Sequence, residues 1–240
     1  MVAVAPFRCL LVALAVMPLA AETLDPINDI RFGVSALPTP RVEEKLSDSS
    51  GSSTYDWKHN RYPGGVGMRL ELGYWHGGAI KPTSSITSLW MVGINFSAAN
   101  ITPDSYDIGS TNVANNRQDL NTKFRQYGVA FGYGLATTPT DTDAGDLHWE
   151  LLPALRGGYG TADTVSPGAN PVVASGHGFW WEGGLEGGLV LASDCWVFNP
   201  FIGVLYGKFS TKINLPNDTT SDLTITTLAP QIGVRVGGSF

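Results

Sequence analysis

Phe124–Leu135 reads FRQYGVAFGYGL. Tyr127, Val129, Phe131, Tyr133 and Leu135 share one parity; Gln126, Gly128, Ala130, Gly132 and Gly134 share the other. Successive side chains of an extended chain point to opposite faces, so every large apolar group falls on one side. The other side carries glycine and alanine, where a face turned to water would carry long polar groups. That small-residue face is crowded rather than hydrated.

Seven other segments repeat the pattern. Ile30, Phe32, Val34 and Ala36 alternate with Arg31, Gly33 and Ser35. Val66, Met68, Leu70, Leu72 and Tyr74 alternate with Gly67, Arg69, Glu71 and Gly73, and Trp90, Val92, Ile94 and Phe96 follow. Leu147, Trp149, Leu151 and Leu155 oppose His148, Glu150, Ala154 and Arg156. Phe179, Trp181, Leu185, Leu189 and Leu191 oppose Trp180, Glu182, Gly184, Glu186 and Gly188. Phe198, Ile202, Val204 and Tyr206 form a less regular run, broken by Asn199-Pro200 as Pro153 breaks the run around it. Ile232, Val234, Val236 and Phe240 close the series, against Gly233, Arg235 and Gly237.

The clear segments run to about ten residues or more, against about five or six for an ordinary soluble strand. The simplest geometry is a small closed barrel, with glycine and paired charges inside and apolar and aromatic groups outside. Such an outer surface is compatible with lipid and an aggregation hazard in water. The expected fold is therefore all-β: an eight-stranded antiparallel transmembrane barrel.

The connections point the same way. They read long at 37–63, short at 77–85, long at 97–122, short at 137–146, long at 160–177, very short at 193–195 and longer at 211–225. Alternating long outer loops with short inner turns is the habit of outer-membrane barrels. Trp90, Trp149, Trp196 and Phe240 lie beside the short turns; Phe96, Tyr127, Phe179, Trp181 and Tyr206 lie beside the long loops. Two aromatic belts around an aliphatic middle mark the two membrane interfaces.

The N-terminus fits that location. A basic Arg8, an apolar run from Cys9 to Leu19 and the small pair Ala20-Ala21 have the layout of a secretory signal peptide over 1–21. The single barrel domain is then 22–240. Cys195 alone remains, so no internal disulfide framework is expected. The chain carries 15 basic against 21 acidic residues with no basic patch, which excludes a nucleic-acid partner.

With a signal peptide, eight amphipathic strands and a last strand ending in Phe240, the chain resembles the small outer-membrane β-barrels of the OmpA/OmpX type. The likeness is architectural and covers about residues 25–240. It implies integral residence in the outer membrane of a Gram-negative bacterium, among outer-membrane lipid and lipopolysaccharide. It also implies that Phe240, Val236 and Val234 are read by the barrel assembly machinery, with Gly238 standing where the family has a second aromatic.

Charges on the inward parity should pair, because an unpaired buried charge is costly. Arg69, Glu71, Glu186 and Arg235 fall in one band near mid-barrel, Arg156 and Glu182 make a second pair nearer the outer loops, and Glu150 lies on the same inward face. An eight-stranded barrel is wide enough only for side chains to fill, so a charge network plugging the lumen is expected, with a narrow cation-favouring pore as the alternative. His148 and Glu150 suggest a lipid-modifying enzyme, yet no serine flanks them and they sit near the periplasmic end. Asp141–Leu151, DTDAGDLHWEL, fails the calcium-loop spacing because Gly145 stands fifth and Leu152 twelfth. No catalytic, cofactor-binding or metal-ligating set is expected. The functional expectation is a structural or surface-interaction role, with an extracellular ligand at the loops and a small-solute channel as alternative.

Overall fold

The computed structural model describes residues 27–37, 40–58, 67–78, 85–114, 121–142, 145–165, 173–193, 195–215 and 218–240. The signal peptide expected at 1–21 lies outside them. Among the described residues there are thirteen strands and no helix. Eight make the barrel: β1 (Asn28–Leu37), β4 (Gly67–Gly77), β5 (Ile86–Ile101), β8 (Asn121–Thr137), β10 (Gly145–Val165), β11 (Val173–Ser193), β12 (Trp196–Asn214) and β13 (Thr220–Ser239). They match the eight alternating segments of the sequence.

Each strand pairs antiparallel with the next in that order, and β1 pairs with β13 from Asp29↔Ser239 to Ala36↔Ile232, closing the ring. Closure leaves no free edge in the ring, the condition for a sheet to cross a bilayer. At the seam Gly33 stands opposite Arg235, and a Cβ on Gly33 would sit 3.0 Å from Arg235 Cγ. The large apolar groups of the alternating segments face outward; Val129 is 65 % exposed and Ile202 is 67 % exposed. A closed ladder with its apolar face outside is, by itself, the architecture of an outer-membrane β-barrel.

Both prolines are accommodated inside strands. The β8–β10 ladder runs through Leu151↔Leu135 and resumes at Ala154↔Gly132, skipping Leu152 and Pro153. The β11–β12 ladder skips Asn199 and Pro200 in the same way. Proline has no N–H to donate. Beside Pro200 the carbonyl of Leu189 accepts instead from the Asn199 side-chain amide at 3.2 Å.

The long-loop end differs from the expected loops. β10, β11, β12 and β13 carry their pairing far into the stretches 160–177 and 211–225, down to Val165↔Val173 and Asn214↔Thr220. Within 37–63 lies the hairpin β2 (Arg41–Asp48) and β3 (Gly51–Lys58), turned at Asp48, whose Oδ1 accepts from the backbone N–H groups of Ser50 and Gly51. Within 97–122 lie β6 (Ser105–Ile108) and β7 (Thr111–Ala114), joined through Gly109 at a left-handed φ of 61°. β2 pairs with the outer end of β13, β3 with β2, and β6 with β3. A fifth short piece, β9 (Thr140–Thr142), adds to β10 at the other end. Ser, Thr and Asn composition suggested turns here, but alternate residues bury apolar groups and hold the strands.

The interior is layered. One buried apolar cluster near the short-turn end gathers Ile27, Trp75, Leu89, Met91 and Leu152. A second at the long-loop end gathers Val42, Trp57, Ile101, Phe124, Trp180, Phe209, Ile213, Leu223 and Ile225. The expectation of an interior of glycine and charges is corrected: apolar layers lie above and below a polar band. Trp75 beside Gly73 and Trp180 beside Gly128 fill width that Arg and Glu alone leave open.

Candidate functional site: the buried charge network

The polar band is the chemically distinctive region. β4 supplies Arg69 and Glu71, β10 supplies Glu150 and Arg156, β11 supplies Glu182 and Glu186, and β13 supplies Arg235. Every one of them is buried. Each strand places its charge two or four residues from glycine or an inward apolar group, so the long side chains can cross the lumen.

At the centre, two carboxylates are held between two guanidiniums. Arg156 Nε donates to Glu71 Oε2 at 2.9 Å and its Nη2 to Glu186 Oε1 at 2.5 Å. Arg235 Nη2 donates to Glu71 Oε1 at 3.1 Å and also to Glu186 Oε2. Gln231 Nε2 adds a bond to Glu186 Oε1 at 2.8 Å. The Arg235 guanidinium also lies 3.8 Å from the ring centre of Phe201 and 5.2 Å from that of Trp75, a favourable cation–π arrangement.

Above this centre Arg69 Nη2 donates to Glu182 Oε2 at 2.5 Å, and Arg69 Nη1 to Gln231 Oε1 at 3.3 Å. Glu182 Oε1 is 3.7 Å from Arg156 Nη1. Arg156 and Glu182 are therefore not a separate second pair. Arg156 reaches down the lumen to Glu71 and Glu186, and Glu182 takes Arg69 as its close partner.

Below the centre stands a group the sequence reading missed. Arg31 binds Glu150 through both Nη atoms at 2.7 Å each, and Asp29 through Nη2 at 2.5 Å. Asn199 Oδ1 accepts from Arg31 and Arg235 at 3.4 Å each, joining the two tiers. Arg31 lies on the inward parity between Ile30 and Phe32, which was the available signal. Asp29, Asn199 and Gln231 gave no comparable signal, because each sits at a strand end or a proline break. In all, Asp29, Glu71, Glu150, Glu182 and Glu186 face Arg31, Arg69, Arg156 and Arg235, a balance one carboxylate in excess.

His148 Nε2 lies 3.3 Å from Glu150 Oε1, and its Nδ1 has no hydrogen-bond partner. Among the described residues no hydroxyl or thiol is bonded to the pair, so no nucleophile and base are assembled from them. Among the described residues no group of three or more acidic, His or Cys side chains could hold a metal. Cys195 is free and exposed at the β11–β12 turn.

The aromatic girdles are built as interlocking sets. At the short-turn end Tyr74 lies 5.5 Å from Trp90 and 6.4 Å from Phe240, ring centre to ring centre. Phe240 is anchored by its backbone N–H to the Asn28 carbonyl at 3.0 Å. Val236 faces outward beside it and Val234 is half-buried. At the long-loop end Phe96 packs on Tyr127 at 5.1 Å and Trp181 on Tyr206 at 5.6 Å.

No protein-family model and no curated protein sequence matches the chain. Solved structures similar to it include the outer membrane protease OmpT from Escherichia coli, at 10 % identity and TM-score 0.46, covering 93 % of this chain and 99 % of that one. Neisserial surface protein A is similar at 16 % identity and TM-score 0.32, covering 85 % and 96 %. Ail, the attachment invasion locus protein of Yersinia pestis, is similar at 10 % identity and TM-score 0.29, covering 88 % and 99 %. Function does not transfer across likenesses this distant; the fold stands on the closed ladder described above.

Proposed function

We propose that the chain is an integral outer-membrane barrel with a structural or surface-interaction role, its lumen plugged by the charge network. The single observation that carries this reading is the stacking inside the ring. An apolar layer, a band of mutually bonded Arg and Glu, and a second apolar layer succeed one another along the axis. A barrel of eight strands has room for side chains and little else. In this reading the surface task falls to the long-loop end, where β2, β3, β6 and β7 form a sheeted platform that meets an extracellular ligand, with lipopolysaccharide around it. Phe240, Val236 and Val234 serve the barrel assembly machinery.

Conductance across a planar bilayer tests the plug: the purified barrel should give no steady openings. Steady openings would favour the second reading, a narrow channel, which one feature supports. The excess carboxylate makes the lumen attractive to cations, so such a channel should prefer them to anions. A lipid-modifying role is not proposed, because among the described residues no nucleophile is bonded to His148 or Glu150.

A further inference from the structure

We propose that the β2–β3 hairpin is an acid-latched section of the outer barrel rim, seated when Glu44 is protonated and loosened when it ionises. The hairpin is seated by apolar burial. Val42 and Trp57 of the hairpin enter the same core as Phe124, Trp180, Phe209 and Ile213 of the ring strands. Among the described residues it is held by β2 on the outer end of β13, from Arg41↔Thr226 to Ser47↔Thr220, and by β3 on β6, from Tyr55↔Ile108 to Lys58↔Ser105. Two ladders and one apolar patch therefore hold it in the rim.

Glu44 stands inside that patch, with 0 % of its surface exposed. It is opposite Tyr55 on β3 and Leu223 on β13. Oε1 accepts from Ser221 Oγ at 2.7 Å, and Oε2 has no partner. The groups facing it are Tyr55 from β3, Tyr106 from β6 and Ser221 from β13; the remaining members of the cluster are apolar. The neighbouring charges Arg41, Glu43, Lys45 and Asp222 are on the opposite, exposed face, and Arg41 pairs there with Asp56 at 3.0 Å. The contrast with mid-barrel is sharp. Each carboxylate of the lumen touches a guanidinium, and Glu44 touches none.

An ionised carboxylate with one hydroxyl donor in an apolar core is strongly disfavoured, and the neutral acid is tolerated. Burial pushes the Glu44 carboxyl above its usual range, and the Ser221 bond opposes this only in part. The sign follows from linkage. With the seated-state value raised, the seated hairpin binds the proton more tightly than the loosened one. Seating is then strongest below the loosened-state value and weakens as pH rises toward the seated-state value. Above that it stays at its weakened level.

Amide hydrogen exchange of β2 and β3 in a detergent-solubilised or nanodisc-embedded full chain, from about pH 4 to about pH 8 and corrected for intrinsic exchange, tests the proposal. The opening constant of these strands should rise by up to about tenfold per pH unit between the two values and then level, with β8 and β10 unchanged. E44Q should keep the hairpin protected at every pH. An equal pH slope in E44Q, or a flat wild type, overturns the proposal. Carbon NMR titration of the Glu44 carboxyl in the wild type decides the case should E44Q fail to fold. A midpoint well above the ordinary value of about 4.3 supports the latch, and a midpoint at that value overturns it.

Discussion

Arg31 on the first barrel strand and Glu150 on the fifth meet across the lumen through two parallel hydrogen bonds of 2.7 Å. A bidentate guanidinium–carboxylate pair is among the strongest side-chain contacts available. Buried as this one is, losing Arg31 strands the Glu150 and Asp29 carboxylates, and losing Glu150 leaves Arg31 with Asp29 as its one carboxylate partner. Arg31→Leu or Glu150→Leu should each destabilise the barrel by about 3–5 kcal/mol, read by urea unfolding in lipid vesicles. The double variant should recover only part of that loss, because Asp29, the other partner of Arg31, is left without a guanidinium.

Arg235 is bonded to Glu71 and Glu186 and stacked on Phe201. Arg235→Leu should cost about 3 kcal/mol or more in denaturant titration. A neutral result would mean that water reaches Glu71 and Glu186 freely, and the plug would be lost with it.

The tryptophans divide by face. Trp149, Trp181 and Trp196 are exposed on the outside, whereas Trp57, Trp75 and Trp180 are fully buried. In brominated-lipid vesicles the fluorescence of the first three should be quenched and that of the last three preserved, as single-Trp variants would show. Quenching of Trp75 or Trp180 would invert the assigned faces.

Gly237 lies on the closing seam, where an added Cβ would fall 2.0 Å from the Ile30 carbonyl oxygen. No side chain fits without moving the strand. Gly237→Val should cost about 3 kcal/mol and reduce the fraction that migrates as a folded band in an unboiled gel. Ile232→Ala, on the outer face of the same strand, should fold normally.

The eight ring strands were legible because a buried-inside, lipid-outside wall imposes a period of two on both faces. Val129, Phe131 and Tyr133 have no other reason to alternate with glycine and alanine. The partners of Arg156 were not legible. Sequence position gives the height of its Cα, whereas its long side chain spans most of the band and meets Glu71 and Glu186 instead of ending at Glu182. The strands beyond the outer girdle were hidden by composition. Thr220–Thr226, TSDLTIT, looks like a loop, yet Ser221, Leu223 and Ile225 all turn inward and are buried. Glu43-Glu44 falls in the stretch 37–63 expected as a loop, and only the placement of Val42 and Trp57 shows that one of the two is enclosed.

The seam between β1 and β13 also governs how the molecule can come into being. Its partners, Asp29↔Ser239 through Ala36↔Ile232, stand at opposite ends of the sequence. Contacts of such high sequence separation are the slowest to form. Every other ring pairing joins strands that follow one another along the ring's chain order and can zip locally. Closure therefore comes late and only once both ends are present. Until then the sheet has two raw edges and an apolar face, so the interval between emergence and closure is the period in which this chain most needs protection from its own copies.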